Sequence, residues 1–148
     1  MINLAAATAA YEKLDRYERA DVLDTADDVM EQINALPAGY NAAYVFCEFL
    51  IGSVLTRPND YHIMYPMLER IFGEGNDYNA VKDKLRSEGK DGLRKVFRIM
   101  GDMLEAMDEQ SRQKTLMLAL SVIFVQYKSS MGGRKYLRQF SNELALRQ

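Results

Sequence analysis

The chain has 148 residues, 48% hydrophobic and 27% charged, with three prolines, nine glycines and a single cysteine. That is enough for one domain with a real core, and it excludes a low-complexity, collagenous or disulfide-built protein. The net charge of −2 is not that of a strongly basic nucleic-acid domain, but it conceals a split: residues 1–81 carry five Lys/Arg against thirteen Asp/Glu, and residues 82–148 carry fourteen against eight.

Helical spacing dominates from the N-terminus onward, and strand-like alternation is nearly absent. The alanine-rich start, residues 4–17, lacks a basic leader region and reads as a helix, not a signal peptide. A second helix is expected over 19–36, with Val22, Ala26, Val29 and Ile33 on one face and Asp21, Asp24, Asp27, Asp28 and Glu31 on the other. Pro37 and Gly39 break the chain. The third helix, residues 42–55, is apolar nearly all round and belongs at the centre. "TRPND" ends it, and Asn59 or Asp60 can cap the fourth helix, "YHIMYPMLERIF". Asn76 or Asp77 can cap a fifth over 78–88, closed by Gly89. A sixth covers 92–107, with Leu93, Val96, Phe97, Met100 and Leu104 in one stripe. Asp108 can cap a seventh that runs to residue 127 and contains the apolar run 116–125. An eighth follows Gly132-Gly133. Both apolar runs fall short of the ~20 residues that span a bilayer, so they read as core helices and no transmembrane segment is expected. The expectation is one all-α domain over 1–148, a compact bundle of seven to eight helices with N-terminal helices in 1–38 and a core in 39–148. Within it 42–55 and 116–125 should pack against each other.

A corner recurs. Shifted by 71 positions, "LTRPNDYHIMY" (55–65) falls on "QYKSSMGGRKY" (126–136), so that Arg57 meets Lys128 and Tyr65 meets Tyr136. Each corner follows a hydrophobic helix, "AAYVFCEFLIGSVL" and "QKTLMLALSVIFVQ", and precedes an amphipathic one. In this layout residues 40–146 resemble the tellurite-resistance TerB-like helical domains, which are all-α and built on two such hairpins. The resemblance implies a pseudo-twofold core and a cytoplasmic role in bacterial or phage stress response or defence. The family's metal-binding feature is an acidic cluster at each corner. Here the first corner keeps only Asp60 and the second has none, whereas a calcium site takes 6–8 oxygen ligands. No metal ligand and no cofactor are therefore expected.

The remaining candidates are weighed by chemistry. "SSMGGRK" lacks the spacing and the preceding strand of a phosphate loop, so its glycines read as a left-handed helix corner. Lys128, Arg134, Lys135 and Arg138 beside it form a weak anion or nucleic-acid patch. Cys47, in an apolar run, reads as inert packing, and the adjacent Glu48 points about 100° away from it on a helix. Glu48 needs a partner such as Arg57, Arg112 or a tyrosine hydroxyl. With His62, the only histidine, it makes a possible buried polar site. Met64, Met67, Met100, Met103 and Met107 suit either core gaps or a groove for a partner helix. Tyr61, Tyr65, Tyr127 and Tyr136 cluster at the corners as candidate anchors for a protein partner. No catalytic residue is assigned. A non-enzymatic protein-interaction domain is the leading expectation. A nucleic-acid-binding or mimicry protein comes next, and a small hydrolase or transferase with an apolar cleft last.

Overall fold

The computed structural model describes residues 2–124 and 131–146 and, among them, eight α-helices, three short 3-10 turns and no strand. The protein is an all-α bundle. The expected first helix is interrupted. α1 (Leu4–Glu12) ends, and α2 (Arg16–Val22) starts afresh on a reciprocal capping box. The Asp15 carboxylate accepts from the Glu18 N–H at 2.8 Å, and the Glu18 carboxylate accepts from the Asp15 N–H at 2.9 Å. Two donors that a new helix leaves orphaned are satisfied at once. Arg19 closes the break from the other side, donating to the Glu12 and Leu14 carbonyls at the end of α1. The expected second helix likewise divides into α2, a 3-10 turn at Leu23–Thr25 and α3 (Ala26–Asn34), whose Ala26, Val29 and Ile33 are buried.

α4 (Ala42–Gly52) ends three residues short of the expected 42–55, α5 (Tyr61–Phe72) forms as expected but without a side-chain cap from Asp60, and α6 (Tyr78–Ala106) joins the expected fifth and sixth helices. α6 is broken at Gly89, whose φ of 63° and ψ of −148° are open only to glycine. Asp77 caps α6 by accepting from the Ala80 N–H, and Asp108 caps α7 (Glu109–Ile123) by accepting from the Ser111 N–H. The seventh helix was expected to reach residue 127, but residues 125–130 lie outside the described residues.

The glycine pair departs from expectation. Gly132 and Gly133 sit in the first turn of α8 (Met131–Ala145), and neither has a positive φ. They are not a left-handed corner. A Cβ at position 132 would lie 2.9 Å from Arg57 Cδ, so glycine there lets the Arg57 stem lie against α8.

Packing also differs from the pseudo-twofold expectation. α4 lies chiefly along α6, which also carries α8, while α7 is covered by α1, α2 and α3. α4 and α7 do touch, but neither is the other's main partner. Both are lined with buried residues, among them Phe46, Leu50 and Ile51 on α4 and Leu118, Leu120 and Val122 on α7. Of the methionines weighed above, Met64, Met100, Met103 and Met107 are buried in the core, while Met67 is partly buried and lines a small pocket of about 230 Å³ with Tyr11, Leu23 and Ile63. No helix among the described residues is long and apolar enough to cross a membrane.

Candidate binding surfaces

Cys47 is buried in α4, and burial, with the neighbouring Glu48 charge adding to it, pushes its thiol up to about 12. Such a thiol is protonated and inert near neutral pH. Glu48, 5% exposed, is paired with Lys84 of α6 at 3.1 Å, and not with Arg57, Arg112 or a tyrosine. Lys84 reaches Glu48 from a half-exposed position, its long stem able to pack on the protein while the charged head stays near water. Burial alone would lower the Lys84 pKa. The hydrogen bond and charge of Glu48, helped by Tyr44 and Glu88, outweigh it and leave the net shift upward.

The two arginines expected near Glu48 serve helix ends. Arg57 donates to the Ser53 carbonyl at 2.7 Å and the Ile123 carbonyl at 3.4 Å, tying the end of α4 to the end of α7. It also pairs with Asp60 at 3.3 Å, which occupies the one carboxylate of the first corner. Arg112 donates to the Leu104 and Met107 carbonyls at the end of α6. His62 is exposed on α5 and forms no buried polar site with Glu48.

The expected tyrosine anchors are mostly core residues. Tyr136 is 5% exposed and donates its hydroxyl to the Phe49 carbonyl near the end of α4. Burial, then the Glu48 charge, raises its pKa well above the ordinary value. Its ring belongs to a cluster with Phe49, Phe97 and Phe140, centroids 4.8–6.1 Å apart. Tyr61 is 8% exposed and stacks on Tyr65 at 5.5 Å, which in turn meets Tyr78 at 5.9 Å. Tyr65 is half-buried and donates to Asn79 Oδ1 at 2.7 Å. The Lys82 ammonium and the Arg86 guanidinium lie over the Tyr61 ring at 4.8 and 5.9 Å. Apolar register turns Tyr61 and Tyr136 inward, so each ring serves the core first, although Tyr136 also lines the cleft described below. Tyr127 and Lys128 lie outside the described residues.

The basic candidates on α8 divide. Arg134 is ion-paired with Glu12 of α1, whereas Lys135 and Arg138 are exposed and make no ion pair among the described residues. Arg138 lines the shallow groove between α8 and α1. Lys135 instead faces a cleft of about 250 Å³ where α4, α6 and α8 meet. Gly52, Gly89 and Gly132 are among its lining, Gly52 alone at a close approach of α4 to α6 and α8; Arg86, Lys90 and Lys135 stand on its rim, and no carboxylate among the described residues lines it. At Gly52 a Cβ would lie 2.6 Å from the Tyr136 hydroxyl. Sequence reasoning missed Arg86 and Lys90. The basic balance of the second half was the available signal, but only tertiary packing selects these cations from fourteen.

A second, larger cavity of about 490 Å³ opens between α3, α4, α5 and the start of α6. The rings of Tyr44, Phe72 and Tyr78 line it, with Cys47 on its wall and Asn34, Asn41 and Asp77 at its polar edge. Among the described residues, no three His, Cys, Asp or Glu side chains gather as metal ligands. Comparison with known proteins adds no relative: no family model matches the chain, and no curated protein or solved structure gives a significant match.

Proposed function

We propose that the chain is a non-enzymatic protein-interaction domain that receives an acidic segment of a partner protein in the basic cleft between α4, α6 and α8. The observation that carries this reading is the rim of Arg86, Lys90 and Lys135 around a cleft without a carboxylate. Unopposed cations around a concavity steer an acidic partner and fix its register. The raised pKa of the buried Cys47 thiol and the pairing of Glu48 with Lys84 support a binding role over a hydrolase or transferase. Ion pairs also interrupt the basic face among the described residues: Glu143 holds Arg94 and Glu12 holds Arg134, so fewer free cations remain there for phosphates. The TerB-like layout, with α4–α5 and α7–α8 as its two helix pairs, and a cytoplasmic role in stress response or defence belong to the same proposal.

The test is fluorescence polarisation with a glutamate-rich peptide and a single-stranded oligonucleotide of equal charge, near physiological salt. Peptide binding that disappears in the Arg86→Gln, Lys90→Gln, Lys135→Gln variant is expected. Tighter binding of the oligonucleotide, equal binding by the variant, or no peptide binding overturns the proposal.

A further inference from the structure

We infer that the cavity between α3, α4, α5 and the start of α6 is a binding site for a small organic ammonium ion. At about 490 Å³ it falls within the roughly 300–1,000 Å³ of small-molecule pockets, unlike the smaller basic cleft. Its chemistry selects the charge of the guest. Tyr44, Phe72 and Tyr78 present aromatic surface, Asp77 supplies a carboxylate, and no lysine or arginine among the described residues lines it. Ring faces and one carboxylate attract a cation, and they hold an alkylated ammonium better than a hydrated metal ion because the alkyl groups pack on the rings. An anion would meet the charge of Asp77. A purely apolar guest would strip water from Asp77 and the asparagines without replacing its hydrogen bonds.

Two further features fit the site to such a guest. Tyr78 is fixed in advance, because its hydroxyl bonds to the Gly73 and Leu68 carbonyls and accepts from Asn76. Asn41 adopts the left-handed conformation at the start of α4 without using its side chain as a cap, and Asp77 caps α6 through Oδ1 alone. The Asn41 carboxamide and the second Asp77 oxygen therefore remain for a ligand. A site whose parts are already ordered loses less entropy on binding.

The probes are choline and its neutral isostere 3,3-dimethylbutan-1-ol, titrated into the full chain while amide and methyl NMR shifts are followed. Choline is expected to give saturable shifts at Cys47, Phe72 and Tyr78, and to bind about tenfold tighter than the isostere, the difference one desolvated cation–π contact makes. Tyr44→Leu keeps apolar bulk and removes the ring; Asp77→Asn keeps a good helix cap and removes the charge. Each should weaken choline severalfold while the spectrum elsewhere stays unchanged. Absence of saturable shifts, shifts that map outside the cavity, equal affinity for the isostere, or wild-type affinity in both variants overturns the inference. Phosphatidylcholine vesicles form a further arm. Binding to vesicles but not to free choline would also overturn it, because the site is assigned to a free solute.

Discussion

The cavity and the basic cleft lie along one seam between α4 and α6, yet they are opposites. Cys47 and Val81 line the first; Gly52 and Leu85 line the second; the Glu48–Lys84 ion pair falls between them on both helices. The cavity is walled by aromatic rings and carries one carboxylate, whereas the cleft is walled by glycines and carries three cations. The contrast places the split between an acidic first half and a basic second half at two neighbouring concavities.

The largest expected effect concerns what supports each site. Phe140 is fully buried in the aromatic cluster beneath the cleft, 4.8 Å from Phe49 and 5.3 Å from Phe97. Phe140→Ala should cost about 3–5 kcal/mol in urea unfolding, the range for emptying an aromatic core position. Phe72 at the cavity is only partly buried, so Phe72→Ala should cost clearly less. Equal costs would show that the cleft is no better supported than the cavity.

The close approach at Gly52 predicts the next effect. Gly52→Ala puts a methyl group against the Tyr136 hydroxyl and should cost about 1–3 kcal/mol through overpacking. Tyr136→Phe alone strands the Phe49 carbonyl and should cost about 1–3 kcal/mol. The double variant removes the clashing oxygen, so its cost should fall short of the sum. Simple additivity would mean that the hydroxyl is not what excludes a side chain from position 52.

The ion pair between the sites comes third. Lys84→Met leaves Glu48 buried and unpaired. Its cost should fall below the about 3–5 kcal/mol of breaking a fully buried pair, because Lys84 is 48% exposed and water partly screens it already. The Lys84 pKa is raised in the folded state, so its contribution is complete below the ordinary lysine value of 10.5 and is lost as pH rises through the folded value. The stability gap between wild type and variant should therefore hold steady from neutral pH to about 10 and close above it. A gap that stays open above the folded value would show that the charge of Lys84 is not what stabilises the fold.

What could be read in advance depends on the range of the interaction. The caps at Asp77 and Asp108 and the break at Gly89 are local, and the sequence displays them at fixed offsets from apolar stripes. The capping box of Asp15 and Glu18 is equally local, but it was hidden inside a run of good helix formers. The Gly132-Gly133 pair misleads because glycine serves two ends: it permits left-handed turns, and it permits close contact, here with Arg57. Lys84 as the partner of Glu48 lies 36 positions away, and only the registration of α6 on α4 selects it over Arg57 or Arg112. The tyrosines show the same limit. Their nearness to a corner is visible in the sequence, but whether a ring turns inward is decided by which face of α5 or α8 meets α6.

The smallest effect on stability should accompany a large effect on binding. Lys90 and Lys135 are exposed on the cleft rim and form no ion pair among the described residues. Lys90→Gln and Lys135→Gln should each change stability by no more than about 0.5 kcal/mol, as surface substitutions usually do. If the cleft receives an acidic segment, the double variant should lose association rate and most of the salt dependence of binding, because rim charges act mainly on encounter. Asp77→Asn at the cavity should leave both quantities unchanged. The cross-comparison separates a local cleft from a global charge effect. Asp77→Asn removes one negative charge and the double variant removes two positive ones, so a diffuse attraction would strengthen in the first and weaken in the second. Only a partner held at the cleft leaves the first silent. An association rate that tracks net charge in both variants would reduce the basic rim to a background field.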